Sequence, residues 1–296
     1  MIYGDRKKYR EDLIPHLIRY GEIGTKSPSI RKHFEDILID NIERTFLSRE
    51  KEVITDRKDL GRIFAYTQRE NTYLFSRIFG IVSYSPVKEL KSDLKEIKDE
   101  AKKFAGDISG SFAVRARRTG QHEYGSQDVE EQVGSWILEE NQDLDVDLDD
   151  PENEIHIEVR HDRAYVFTEI KEGPGGLPLS SQGKIAAYIG DEYDFLATWM
   201  MMKRGARPHA FIEDNKWAER LKRWDPNLKK IEVESFEKMM SLDKPEEVKA
   251  LVLGERLEGC SRRESQLMIL RPLIGLTEER IKKLFSIVKK LETKGR

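Results

Sequence analysis

The chain has 296 residues, 38% of them hydrophobic and 36% charged, which is long for one core and points to two or three domains. No apolar run approaches the roughly 18 residues of a membrane span. The basic opening MIYGDRKKYRED has no apolar core behind it, so neither a membrane anchor nor a secretory signal is expected and the expected address is cytoplasmic. A single cysteine, Cys260, excludes an internal disulfide and a cysteine-based zinc cluster.

The net charge of −3 conceals an uneven distribution. Residues 1–85 carry 16 basic and 13 acidic side chains, residues 86–170 carry 11 and 22, and residues 171–296 carry 25 and 20. The total does not advertise a nucleic-acid binder, so any RNA surface must be a local patch.

In chain order, Ser27 and Pro28 open a helix over Pro28–Leu47, with Phe34, Ile37, Leu38, Ile42 and Phe46 as its apolar stripe. Strand-like runs follow at 61–67 and 74–84. A second helix is expected to carry Leu90, Leu94, Ile97 and Phe104. The run SFAVRARR (111–118) then alternates, with Phe112, Val114 and Ala116 on one side and Arg115 and Arg117 on the other. Ser126 opens a third helix with Asp128 and Glu130 in its first turn.

The acidic run 143–150 lacks the glycine of a calcium-binding loop and reads as a solvated hairpin. Runs 155–160 and 164–170 read as a hairpin as well. GPGG (173–176) is the clearest boundary in the chain. Beyond it, strands at 184–189, 208–212, 230–233 and 250–253 alternate with helices, the last opened by Thr277. That alternation predicts a parallel sheet covered on both faces.

The motifs RYGEIGTK (19–26), SIRKHF (29–34), FSRIFGIVSYSPV (75–87) and FAVRARRTGQHEYGSQDVEEQVG (112–134) resemble those of the tRNA 4-thiouridine synthetase family, the sulfurtransferases also tied to thiamine thiazole synthesis. IHIEVRHDRAYVF (155–167), GPGGLPLSSQGK (173–184), WMMMKRG (199–205), LVLGERL (251–257) and LRPLIG (270–275) continue the resemblance in family order. It implies a multi-domain α+β and α/β chain. A ferredoxin-like domain would span 1–85, a THUMP domain 86–172, and a Rossmann-like, parallel-sheet PP-loop-type domain 173–296.

Family members carry SGGxDS where the first strand of the last domain meets its helix, and there the backbone N–H groups hold the ATP pyrophosphate. Here that stretch is Ile189-Gly190-Asp191-Glu192-Tyr193-Asp194. Tyr188, Ile189, Gly190, Asp191 and Gly254 are therefore read as the remnant of a nucleotide site. No cofactor is expected, although ATP and magnesium would return if the family activity is retained. The stretch between Ile212 and Gly254 lacks the family's catalytic cysteine, which leaves Cys260 as a weak replacement candidate.

Arg19, Lys26, Arg31, Lys32, Arg115, Arg117 and Arg118 are the RNA-contact candidates implied by the resemblance, as cations able to pair with phosphates. Tyr20 and Tyr124 are either base-stacking or half-buried packing residues. The six histidines show no paired metal spacing.

The expected function is tRNA binding at the acceptor region with ATP chemistry lost. The alternative is an active ATP-dependent sulfurtransferase that makes 4-thiouridine or supplies sulfur for thiazole. Expected partners are tRNA, a separate sulfur-transfer or modification enzyme, and a second copy of the chain, with no membrane.

Overall fold

The computed structural model describes residues 13–59, 61–260 and 262–294. The opening dodecapeptide weighed above as a signal lies outside them. The first part of the chain forms β1 (Ile14–Tyr20), α1 (Pro28–Leu47), β2 (Ile54–Asp59), β3 (Arg62–Thr67) and β4 (Ile81–Pro86). Next come β5 (Lys88–Lys91), α2 (Leu94–Ala105), β6 (Gly110–Thr119), α3 (Ser126–Glu140), β7 (Leu144–Val146), β8 (Asn153–Arg160) and β9 (Arg163–Phe167). The last part contains β10 (Lys171–Glu172), β11 (Lys184–Ile189), α4 (Glu192–Lys203), β12 (Arg207–Ile212), α5 (Asn215–Lys222) and β13 (Lys229–Glu232). It ends with α6 (Phe236–Ser241), β14 (Val248–Val252), β15 (Met268–Leu270) and α7 (Glu278–Thr293).

These strands make three five-stranded sheets, ordered β10-β4-β1-β3-β2, β5-β9-β8-β6-β7 and β13-β12-β11-β14-β15. The described residues form two compact units. One joins the segment ending at Leu17 to Ser85–Ile170, and the other joins Ile18–Tyr84 to the chain from Lys171 onward.

In the first sheet's domain the expected stripe of α1 is realised, with Phe34, Leu38, Ile42 and Phe46 buried. Residues 74–84, expected as a strand-like run, divide differently. Residues 69–77 form a 3-10 helix and only Ile81–Pro86 is strand. That helix buries Leu74 and Phe75, and Phe75 packs between the rings of Phe46 and Tyr84 at 5.2 and 5.4 Å. Consecutive buried residues fit a tightly wound turn as well as a strand, so pattern alone cannot separate them.

In the second sheet, α2 and α3 pack Ile97, Ala101, Val129, Val133 and Ile137 onto Phe112, Val114, Ile155 and Ile157. β6 runs parallel to both β7 and β8, and β8 and β9 form the expected antiparallel hairpin. Two expectations are corrected here. Leu90 belongs to β5 and not to α2, because Asp93 accepts the N–H of Glu96 and caps the helix only from Leu94. The acidic run is no hairpin either. Leu144–Val146 pairs parallel with β6, after which Asp147 Oδ1 accepts the N–H groups of Asp149 and Asp150 and turns the chain.

The third sheet is parallel throughout. Alternation along β11 sends Ile185, Ala187 and Ile189 to the face covered by α4, α5 and α7, while Ala186 faces α6 with Phe211, Leu251 and Met239. Trp199 of α4 packs against Phe79 and Trp224 with ring centroids 5.6 and 5.4 Å away. The GPGG segment is tied into the first sheet. Gly173 and Gly175 donate to the carbonyls of Val82 and Ile81, and Gly80 donates to that of Gly175, so the segment continues the edge begun by β10. Gly176 sits at φ +76°, where a Cβ would stand 2.0 Å from the Lys203 carbonyl oxygen. Only glycine fits there.

Candidate functional site

The strand order of the third sheet reverses between β11 and β14. The chain steps outward from β11 to β12 and β13, then returns to the other side of β11 as β14 and β15. In doubly wound sheets this reversal opens a crevice at the carboxyl ends of the strands, where ligands bind. All the expected remnant residues gather at this point.

β11 ends at the buried Ile189. Asp191 follows as the N-cap of α4, its Oδ1 accepting the N–H groups of Tyr193 and Asp194 at 2.8 and 2.9 Å. On the far lip, Gly254 follows β14, and a Cβ there would lie 2.3 Å from the Asp194 nitrogen and 2.4 Å from the Tyr193 carbonyl carbon. The two lips thus meet backbone to backbone. The ring of Tyr188 lies over Gly190 and stands edge-on to Phe236 at 5.3 Å.

Asp194, in the first turn of α4, bridges the two lips. Its Oδ2 accepts the Gly190 N–H at 3.1 Å and its Oδ1 accepts the Gly254 N–H at 2.8 Å. One carboxylate therefore spans both lips, at a helix N-terminus that favours an anion. Asp194 stands where the family's SGGxDS pattern ends in serine, and it is not among the expected site residues. Its spacing of four from Gly190 and three from a capping Asp191 is the signal that could have found it.

Burial pushes the Asp194 carboxyl up to about 6, with Asp191 adding to the rise, while the N–H donors of Gly254 and Gly190 oppose it. The folded value lies above the unfolded value near 4. Stability from this group is therefore complete below about pH 4 and is lost as the pH rises through 6, by on the order of 3 kcal/mol. Asp194→Asn is expected to flatten that fall in denaturant midpoints measured between pH 4 and 7.

Around the rim, the arginines are occupied. Arg256 lies 4.3 Å above the Tyr193 ring and pairs with Glu278 at 3.1 Å. Glu255 is held between Arg263 and Arg271, each at 2.6 Å. Cys260 follows a short 3-10 turn beyond β14 and is exposed. Among the described residues, no group of three or more His, Cys, Asp or Glu side chains is placed to hold a metal ion.

The RNA candidates fall into two sets. On β6, Arg115 is turned to its own fold, donating to Glu154 at 2.9 Å and to the Leu148 carbonyl at 2.7 Å. Arg117 and Arg118 are exposed. Arg118 donates to the Gly120 carbonyl, and Arg117 has no side-chain partner among the described residues. Tyr124 is half-buried, its hydroxyl donating to the Ser92 carbonyl and its ring stacked on His122 at 5.5 Å.

In the ferredoxin-like part, Arg19 lies half-buried on β1. Arg31 donates to the carbonyls of Gly24 and Lys26 and so braces the loop between β1 and α1. Lys26 and Lys32 are exposed, with no side-chain partner among the described residues. Tyr20 is held by its hydrogen bond to the buried Glu35, and burial raises its hydroxyl pKa above the ordinary range. Both tyrosines are thus anchored by their hydroxyls.

A ferredoxin-like domain, a helix-covered mixed sheet and a parallel sheet with a switch-point crevice make up a multi-domain α+β and α/β architecture. Residues 16–85 match the family model described as the ThiI ferredoxin-like domain, and residues 91–169 match that of the THUMP domain. The chain is 36% identical over 212 residues to a protein of Methanothermobacter thermautotrophicus named "Probable tRNA sulfurtransferase", covering 67% of this chain and 52% of that one. A protein of the same name from Sulfurisphaera tokodaii is 40% identical over 190 residues, covering 63% and 50%.

Among solved structures, PH1313 from Pyrococcus horikoshii superposes with a TM-score of 0.82 at 31% identity, covering 93% of this chain and 99% of that one. A 4-thiouridine synthetase, solved as an RNA complex with bound ATP, gives 0.71 at 20% identity, covering 95% and 87%, a likeness of fold. The chain belongs to the tRNA 4-thiouridine synthetase, or tRNA sulfurtransferase, family. It spans about half the length of the curated relatives it matches. No helix among the described residues is long and apolar enough to cross a membrane.

Proposed function

We propose that this chain is a cytoplasmic tRNA-binding member of its family that grips the acceptor region through its ferredoxin-like and THUMP domains, and that its parallel-sheet domain no longer uses ATP. The domain limits 1–85, 86–172 and 173–296 are part of this reading. The observation that carries it is the Asp194 carboxylate spanning the Gly190 and Gly254 N–H groups. A triphosphate would need those donors. It would also have to displace the tethered Asp194 carboxylate in a stretch that carries Asp191 and Glu192 as well, and like charges about 4 Å apart repel by roughly 1 kcal/mol even in water. The residues present do not fit the nucleotide.

RNA binding rests on the two family-model matches and on exposed cations. Lys26, Lys32 and Arg117 are exposed with no side-chain partner among the described residues, and the exposed Arg118 gives one donor to a backbone carbonyl. Arg115 is set aside as a primary RNA ligand, because it holds the acidic turn around Leu148. Arg31 acts by shaping the loop that presents Lys26.

The alternative, thiolation of uridine, would need ATP and magnesium at the blocked crevice and a sulfur carrier such as Cys260. The two readings separate in one incubation of the protein with unmodified tRNA, magnesium-ATP and a sulfide donor. The proposal expects retained tRNA and no thiouridine absorbance. Thiouridine formed at a catalytic rate would establish the enzyme instead, and a failure to retain tRNA would overturn the binding reading.

A further inference from the structure

At the far end of α4 from the crevice, about 18 Å along its 12 residues, a groove of about 380 Å³ opens against the loop that follows β1. Its walls are Trp199, Met200, Met201, Pro272 and Leu284, so it is predominantly apolar. Methionine side chains adapt their shape to what they cover, and Trp199 supplies a rigid floor. The Trp199 indole nitrogen is buried without an acceptor among the described residues.

Three charged side chains meet this apolar surface. Arg204 and Glu22 satisfy one another, at 3.1 and 3.3 Å. Lys203 remains. It is half-buried, its ammonium lies 5.6 Å from the centre of the Trp199 ring, and it makes no ion pair or hydrogen bond among the described residues. Burial lowers its pKa from the ordinary lysine value, against an opposing pull from Glu22. A cation drawn partly out of water is ordinarily paired, because desolvation of an unpaired charge is costly. Simple snorkelling along the helix accounts for the stem of Lys203 but leaves its charge without a counter-ion inside the groove.

We propose that this groove is a binding site for a small amphipathic anion, an apolar body bearing one carboxylate, whose charge pairs with Lys203 while its body lies on Met200, Met201 and Leu284. The groove carries a net charge of +1 from Lys203, Arg204 and Glu22, which selects a monoanion over a neutral apolar molecule or a polyanion. Size, apolar walls and one convergent charge are the ordinary composition of a small-molecule site. None of the groove's lining residues is a crevice residue or an RNA candidate, so the proposal stands whether or not the proposed function holds.

The test uses the whole chain and two fluorescent probes with related apolar bodies, anilinonaphthalene sulfonate and its uncharged counterpart phenylnaphthylamine. The sulfonate is expected to bind one site saturably. Lys203→Gln should weaken it about tenfold and leave the uncharged probe unchanged, Lys203→Arg should restore most of the affinity, and Leu284→Glu should abolish binding. Decanoate should displace the sulfonate, and decanol should do so far less well. Equal affinity of the sulfonate for wild type and Lys203→Gln, at matched thermal midpoints, would overturn the proposal. So would equal displacement by decanoate and decanol, or binding untouched by Leu284→Glu in a folded protein.

Discussion

Gly254→Ala is expected to lower the unfolding free energy by about 3–4 kcal/mol, a large fraction of a domain's total stability. The added methyl would meet the backbone of Tyr193 and Asp194 at 2.3 to 2.7 Å. Backbone cannot swing aside as a flexible side chain would, so β14 must separate from the first turn of α4. That separation also withdraws the Gly254 N–H from Asp194 Oδ1, leaving a half-buried carboxylate with one lip of its cradle. The loss should appear as a lower urea midpoint with an unchanged slope. Gly259→Ala, at a position where a Cβ would meet nothing within 4 Å, is the control and should cost little.

The second large effect concerns RNA. Combining Lys26→Gln, Lys32→Gln and Arg117→Gln should lower tRNA affinity roughly 100-fold near 0.1 M salt, and should reduce the slope of log affinity against log salt by about 1 for each phosphate no longer neutralised. These three side chains are exposed and tied to nothing else among the described residues, so their removal acts on the interface and leaves the fold intact. Arg115→Gln should behave differently. Its guanidinium is engaged by Glu154 and the Leu148 carbonyl, so it should change the salt slope little and loosen the acidic turn. Filter-binding curves from low to high salt would decide both points. An unchanged slope in the triple variant would remove these residues from the interface.

Much of this architecture is legible in the sequence, for physical reasons. The 3.6-residue stripe of α1, the alternation of β6 and the strand–helix alternation of the last domain each reflect one face meeting a core. The misread elements have no such one-sided pattern. Residues 69–77 bury consecutive positions in a 3-10 helix. Leu90 sits four residues before Leu94 and so continues the helical stripe, although Asp93 caps the helix between them. The GPGG segment, expected as a boundary, carries a further feature that pattern does not convey, since its glycines are required by close backbone approach to Ile81 and Lys203.

At the candidate site, the departure of residues 189–194 from the family's SGGxDS pattern is visible in the residues alone. What they cannot convey is that Asp194 turns back to occupy the donors itself, because Gly254 lies 60 positions further along the chain. The same holds for the cations. Seven candidates look alike as letters, and only the fold divides Arg115 and Arg31, which brace their own loops, from Lys26, Lys32 and Arg117.

Titration of magnesium-ATP into the protein by isothermal calorimetry near neutral pH, with tRNA as the positive control in the same preparation, tests the blocked crevice most directly. A tethered carboxylate holding the Gly190 and Gly254 N–H groups predicts no saturable nucleotide heat while tRNA binds. Stoichiometric, saturable ATP binding that weakens when Gly190 or Gly254 is substituted in a folded protein would contradict it.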